Sequence, residues 1–256
     1  MSATDKTPTP ARPVNKGEGP VDQILCAAAL AGGYTDVDII HGIDLHVLPR
    51  EIVTIAGTNG AGKSTFLKAL LGLLPRTTGR VTVLGRDISR LPTEARIETG
   101  MAYVPQVTNV FRTLTVQENL QVADTRVTPA RIERMLATFP ALASRLKQRA
   151  GTLSGGERQQ LAFARALIRE PKVIILDEPT AALSPALVNT IFQAIQRLKS
   201  LDVAVLMVEQ RARQSLEISD RGYILDQGRV VLSGDAAGLL ADPQMTELYL
   251  GTAAHT

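Results

Sequence analysis

The sequence predicts an α/β fold: a parallel core sheet with crossover helices, an antiparallel β portion at its front and a helical segment inserted in the middle. Three observations carry this. After about residue 153 short apolar runs alternate with longer amphipathic ones, the rhythm of strand, helix, strand. Nearer the N-terminus apolar and polar residues alternate singly, as in a half-buried strand. Between about Ser89 and Gly151 the chain reads as mostly helical.

Taken in order, residues 1–20 hold Pro8, Pro10, Pro13 and Pro20 with no apolar core, so a disordered extension is expected there, ahead of a domain over 21–251 and a tail at 252–256. The stretch 21–87 is strand-rich. "DIIHGIDLHVL" alternates, "EIVTIAG" is a short buried strand, "KSTFLKALLGLL" a helix, and "GRVTVLGRDI" a strand punctuated by Gly79 and Gly85. A helical subdomain is expected over about 89–160, including "TVQENLQVA" and "PARIERMLATF", the latter with Pro129 in its first turn. In "LSGGERQQLAFARAL" a helix is expected from Glu157, with Leu161, Phe163, Ala164, Leu167 and Ile168 on one face and Ser154 and Glu157 as a capping box. Then come "KVIILD" (strand), "PALVNTIFQAIQRL" (helix), "VAVLMV" (strand) and "RARQSLEI" (helix). A hairpin "RGYILDQGRVVLSG" turning at Asp226–Gly228 and short helices close the series.

The 256 residues suit one large domain or two small ones, and with 45% hydrophobic residues they can bury a sizeable core. A charged fraction of 21% argues against global disorder. The net charge of +3 is small, and the basic residues are scattered, which argues against nucleic-acid binding. The lone cysteine, Cys26, excludes an internal disulfide, fits a reducing compartment and is expected as a small buried residue. The three histidines, His41, His46 and His255, are expected at the surface. No apolar run approaches the roughly 20 residues needed to cross a bilayer, so any membrane role is expected to come through a partner.

The chemistry begins at "GTNGAGKST", residues 57–65, which follows a strand and opens a helix. It matches G-x-x-x-x-G-K-[ST]. The glycines Gly57, Gly60 and Gly62, with Thr58, Asn59 and Ala61 between them, let backbone N–H groups surround phosphate oxygens at a helix N-terminus. Lys63 would reach the outer phosphates, Ser64 would ligate Mg²⁺ through its hydroxyl, and Thr65 completes the loop. "KVIILDEP" ends a buried strand in two acids at the edge where α/β sheets bind ligands. Asp177 is the candidate Mg²⁺ carboxylate, and Glu178 the general base for a water attacking the terminal phosphate. A base beside a phosphate loop points to hydrolysis of ATP.

Gly155 and Gly156 remain. A capping box accounts for Ser154 and Glu157 but not for two glycines at a helix start, where each costs roughly 1 kcal/mol against alanine. A bare helix tip admits close backbone approach by an anion, and the phosphate of a second copy's nucleotide is the expected occupant. Together the phosphate loop, Gln106 in "YVPQ", "LSGGERQQ" and "VIILDEP" make the chain resemble the nucleotide-binding domain of an ABC (ATP-binding cassette) transporter over nearly its whole length. The resemblance implies a P-loop NTPase fold and a head-to-tail dimer trapping two ATPs. It implies that Ser154, Gly155 and Gly156 lie on the partner's γ-phosphate and that Gln106 lies on Mg²⁺ at a hinge. It also implies that Tyr34 stacks on adenine.

Two positions depart from the family pattern. Gln210 in "VEQ" stands where a histidine usually touches the γ-phosphate. It can donate a hydrogen bond but not carry a proton, so it would position while Glu178 does the base work. Ser184 replaces the usual aspartate of its loop. "VEQ", "SDRGYILDQGRVVLSG" and a "LYLG" ending resemble the smaller ATPase subunit of branched-chain amino acid importers, or of their urea and short-amide relatives. That implies transmembrane permease subunits, a second ATPase subunit (paralogue or self) and an extracytoplasmic solute-binding protein as partners. The expected location is cytoplasmic, peripheral on the inner face of the plasma membrane. Residues 106–120 would meet a permease helix, with Phe111 a candidate contact. A non-transport or exporting ABC ATPase is the alternative.

Overall fold

A computed structural model describes residues 23–245 apart from 108 and 125. The expected N-terminal extension, the "LYLG" ending, His255 and the tail lie outside the described residues. In chain order the elements are β1 (Leu25–Gly33), β2 (Ile40–Val47), β3 (Ile52–Ala56), α1 (Lys63–Leu71), β4 (Arg76–Val83), β5 (Arg86–Asp87), α2 (Thr93–Ile97), β6 (Met101–Val104), α3 (Val116–Gln121), α4 (Pro129–Thr138), α5 (Pro140–Ala143), α6 (Gly155–Leu167), β7 (Val173–Asp177), α7 (Pro185–Arg197), β8 (Ala204–Glu209), α8 (Ala212–Glu217), β9 (Arg221–Asp226), β10 (Arg229–Asp235), α9 (Ala236–Ala241) and α10 (Pro243–Met245).

The strands form two sheets. An antiparallel sheet has the order β2-β1-β4-β5, and the core sheet the order β10-β9-β3-β8-β7-β6. Within the core, β9, β3, β8, β7 and β6 are parallel, and β10 closes the edge as the antiparallel arm of a hairpin. The continuous apolar runs of β3, β7 and β8 follow from this: a central parallel strand is covered on both faces. Alternate residues sort to opposite sides. Val53, Ile55, Val173, Ile175, Leu206 and Val208 pack with α1 and the antiparallel sheet. Ile52, Ile174, Leu176, Val205 and Met207 pack with α6 and α7. Thus β3 and β7 are fixed on either side of β8, and their C-terminal ends emerge at one edge.

Four expectations change. The segment 89–160 is not all helical: β6 leaves it to join the core sheet beside β7, and α6 continues past its end. The helix expected from Glu157 starts at Gly155, with Ser154 as N-cap and the capping box formed with Glu157 as expected. Cys26 is half-buried rather than buried, because β1 alternates inward and outward residues and Cys26 falls on the outer set. Among the histidines, His41 and His46 are likewise half-buried rather than at the surface, both on β2.

Arg96, on α2, holds the end of α1 in place. It is 4% exposed, and its guanidinium donates to the carbonyls of Leu70 (2.7 Å), Ala69 (3.2 Å), Ser89 (2.6 Å) and Leu91 (2.9 Å). The last carbonyls of a helix have no partner within the helix, so an arginine from outside serves them. Arg96→Leu should therefore lower stability by roughly 3 kcal/mol, the cost of leaving several buried acceptors unmade. Urea unfolding checks this; a loss below about 1 kcal/mol would contradict it.

Candidate functional site

Residues 57–65 join the end of β3 to α1 in a loop that only a few residue types permit. Gly60 and Gly62 have φ of 82° and 99°, in the left-handed region. A Cβ on Gly62 would lie 3.2 Å from Gly228 Cα and 3.2 Å from Ile40 Cγ2. The Gly228 N–H donates to Ala61 O (2.9 Å), so the β9–β10 turn braces the loop from outside. Thr58, Asn59, Gly60 and Ser64 are exposed, whereas Gly57, Ala61, Gly62 and Thr65 are buried. Lys63 is 5% exposed and curls back, its Nζ donating to Gly57 O (2.8 Å) and Thr58 O (2.9 Å). Burial lowers the Lys63 pKa, against the opposing charges of Glu178, Asp177 and Glu209.

The two acids of "LDEP" stand beside this loop. Asp177 ends β7 and accepts a hydrogen bond from Tyr103 Oη on β6 (3.1 Å). Burial raises the Asp177 pKa and the neighbouring Glu178 charge adds to this, while the Tyr103 bond and Lys68 and Lys63 oppose it. Glu178 is buried, with φ of 45°, a left-handed conformation rare outside glycine. Its N–H donates to Val208 O (2.9 Å). Its carboxylate accepts from two amides: Gln210 Nε2 reaches both oxygens (2.8 and 2.9 Å) and Gln106 Nε2 reaches one (2.9 Å). The fold thus brings together Lys63, Asp177, Glu178, Gln106 and Gln210, drawn from four separate stretches of sequence. Tyr103, Glu209 and Gly228 also belong to this neighbourhood and were not singled out in the sequence. Tyr103 adjoins the "VPQ" motif and was the nearest to legible.

Other predicted residues lie farther out. Tyr34 is 46% exposed; Lys68 Nζ donates to its hydroxyl (2.9 Å) and sits 5.1 Å from its ring centroid. Ser154 is exposed at the tip of α6, where its hydroxyl accepts from Glu157 N–H (3.3 Å) and its own N–H donates to Glu157 Oε2 (2.9 Å). Within this chain, a Cβ on Gly155 would meet Leu183 Cδ2 at 3.1 Å and one on Gly156 would meet Leu187 Cδ2 at 2.9 Å. A side chain at either position would require the end of the Leu183 or Leu187 side chain to shift. Ser184 caps α7 without a side-chain hydrogen bond to it. Phe111 is 51% exposed, with the Arg165 guanidinium 4.6 Å from its ring centroid. Arg165 in turn lines a groove of about 840 Å³ with β6, Asn109, Asp124 and Arg131.

A metal would meet few protein oxygens here. Among the described residues there is no cluster of three or more His, Cys, Asp or Glu suited to an ion. A hydroxyl at the start of α1 (Ser64) and a single carboxylate (Asp177) fit a hard cation that takes its remaining oxygens from phosphate and water.

Comparison with known proteins agrees with this geometry. The sequence profile of the family described as "ABC transporter" matches residues 40–181. The chain is 42% identical over 233 residues to the probable branched-chain amino acid transport ATP-binding protein LivF of Archaeoglobus fulgidus, covering 89% of this chain and 99% of that one. It is 40% identical over 222 residues to the high-affinity branched-chain amino acid transport ATP-binding protein BraG of Pseudomonas aeruginosa, covering 85% and 95%. Its fold is similar to the crystal structure of MJ1267, an ATP-binding cassette of an ABC transporter, in its ADP conformation. The TM-score is 0.80 at 26% identity, covering 90% of this chain and 99% of that one.

Gly62→Ala should weaken nucleotide binding by about tenfold, equivalent to about 1.4 kcal/mol, because the new Cβ both strains the loop and presses on Gly228 and Ile40. Gly85→Ala is the control: it has φ of 75° but open space around it, in a hairpin remote from the loop. Fluorescent-nucleotide titration of both variants checks this, and equal affinities would contradict it.

Proposed function

The chain belongs to the ABC transporter ATP-binding family, and from that premise we propose that it energises an importer of branched-chain amino acids by binding and hydrolysing ATP between two ATPase subunits. The observation that carries the hydrolytic part is the Glu178 carboxylate, fixed by two amides at the edge of the sheet beside the phosphate loop. Amides orient a carboxylate without carrying a charge of their own.

The residues divide the work as follows. Gly57, Thr58, Asn59, Gly60, Ala61 and Gly62 present backbone to the phosphates, and Lys63 turns from the Gly57 and Thr58 carbonyls towards them. Ser64, Asp177 and Gln106 hold Mg²⁺, which when bound offsets phosphate charge. Thr65 completes the loop. Tyr34 offers its exposed ring to adenine. Glu178 Oε accepts the proton of the attacking water, and Gln210 donates to phosphate from the place where the family usually has histidine. Before that, Gln106 and Gln210 must release Glu178, to which both are bonded in the chain alone. Ser154, Gly155 and Gly156 complete the site of the neighbouring subunit, whether a second copy or a paralogue.

Partners follow from the same reading. No helix among the described residues is long and apolar enough to cross a membrane. We place the chain on the cytoplasmic face, against permease subunits that dock near residues 106–120 and the adjoining groove. A solute-binding protein outside the membrane chooses the solute. The names of the LivF and BraG relatives support branched-chain amino acids over urea or short amides. Leucine uptake by vesicles carrying the assembled transporter tests this; uptake of urea without leucine would overturn it.

Two outcomes are expected at the site. Glu178→Gln should bind ATP with nearly unchanged affinity while turnover falls about 100-fold or more, the usual worth of a general base. Steady-state phosphate release checks it, and wild-type turnover would refute the base assignment. Gly156→Asp should abolish ATP-driven pairing while the single subunit still binds ATP. Because the new side chain also collides with Leu187, the variant is made in a Leu187→Ala background, and size-exclusion chromatography with ATP is the readout. Pairing at the level of Leu187→Ala alone would mean the α6 tip is not at the interface.

A further inference from the structure

One buried acid at this site has no role in the scheme above. Glu209 ends β8, is 2% exposed, and follows the apolar run Ala204–Val208, whose packing calls for no acid. Its Oε1 accepts from Thr180 N–H (3.0 Å) and Thr180 Oγ1 (2.8 Å), and Thr180 is itself fully buried. Desolvating a carboxylate is costly, and here backbone and hydroxyl donors offset that cost.

These bonds close a ring. Glu178 N–H donates to Val208 O, Thr180 donates to Glu209, the chain runs on from Glu209 to Gln210, and the Gln210 amide returns to the Glu178 carboxylate. The turn so enclosed contains Glu178 in its left-handed conformation, with Ala181 N–H donating to Glu178 O (3.0 Å). A non-glycine residue keeps such a conformation only where its surroundings over-determine it. Two of the restraints on this turn come from consecutive residues of β8, Val208 and Glu209.

We propose that Glu209 is a positioning residue for hydrolysis: its carboxylate ties the turn carrying Glu178 to the strand end carrying Gln210 and so sets how those two side chains meet the reacting centre. It touches neither nucleotide nor water. The inference rests on the reading of Glu178 as the base. Displacement of a catalytic group by about 1 Å can cost up to 100-fold in rate, so loss of the tie should lower kcat and leave binding alone.

The test is steady-state ATP hydrolysis and fluorescent-ATP binding by the full chain carrying Glu209→Ala, Glu209→Gln, Thr180→Val or Thr180→Ser. Glu209→Ala should lower kcat about 10- to 100-fold with KM and ATP affinity within about twofold. Glu209→Gln, whose Oε1 can still accept both Thr180 donors, should keep kcat within about fivefold of wild type. Thr180→Val should fall in the same direction and add nothing to Glu209→Ala, as expected for one shared contact. Wild-type kcat in Glu209→Ala would overturn the proposal. So would Glu209→Gln as slow as Glu209→Ala, since charge rather than geometry would then matter. If Glu209→Ala does not fold, equal rates for Thr180→Val and Thr180→Ser overturn it. Glu178→Gln measured alongside separates the two ideas: full turnover there removes the base assignment, whatever Glu209 does.

Discussion

The carboxylate of Glu178 accepts hydrogen bonds from two side-chain amides that approach from different parts of the fold, and the rest of the site is arranged to make this possible. Gln106 arrives from the segment after β6, Gln210 from the end of β8, and Glu178 itself from the end of β7. All three depend on the parallel register that brings β6, β7 and β8 out at one edge of the sheet. The hydrogen-bond donors of Lys63 meanwhile go to two carbonyls of its own loop. Acids and ammonium are close enough to influence one another's protonation. The resulting arrangement is charged, desolvated and held by neutral dipoles, the condition in which arriving phosphates and a cation can redirect several side chains at once.

Left-handed backbone occurs at several places in the fold, and one group of it lies at this edge. The left-handed Glu178 and the left-handed glycines of the phosphate loop lie at the same edge, supported from behind by Val208, Glu209 and the β9–β10 turn. The sheet beneath is apolar on both faces and packs against helices on one side and the antiparallel sheet on the other. A rigid base with a few constrained turns at its rim suits a site whose parts must shift in a defined way.

Much of this was legible in the residues. The phosphate loop, the two acids ending β7, the capping box at Ser154 and Glu157 and the strand–helix alternation all have local signatures, and each formed where expected. What escaped was long-range. β6 is four residues long, too short for periodicity to distinguish it inside a helical stretch, and only pairing with β7 makes it a strand. Glu209 has no local signature either; what holds it is Thr180, 29 residues earlier in the chain. Arg96 has no local signature of its role, because its carbonyl partners include Ala69, Leu70 and Ser89 from other segments. The glycine pair shows the limit most clearly. Its lack of side chains is expected to leave room for an outside ligand, and the ends of Leu183 and Leu187 of the same chain also lie where a side chain would go. A sequence reports that space is needed, not which neighbour needs it.

The tip of α6 remains exposed at Ser154, and the hydrogen bonds found there belong to its own helix. In the function proposed above, the site's loop, acids and amides on one edge of one chain are completed by a second subunit's α6 tip. The most direct measurement is the specific rate of ATP hydrolysis across a dilution series of the full chain, with its association state followed by sedimentation at the same concentrations. The account predicts that activity per subunit rises with pairing, or emerges only when a second ATPase subunit is added. Undiminished activity per subunit at dilutions where the chain sediments alone would contradict it.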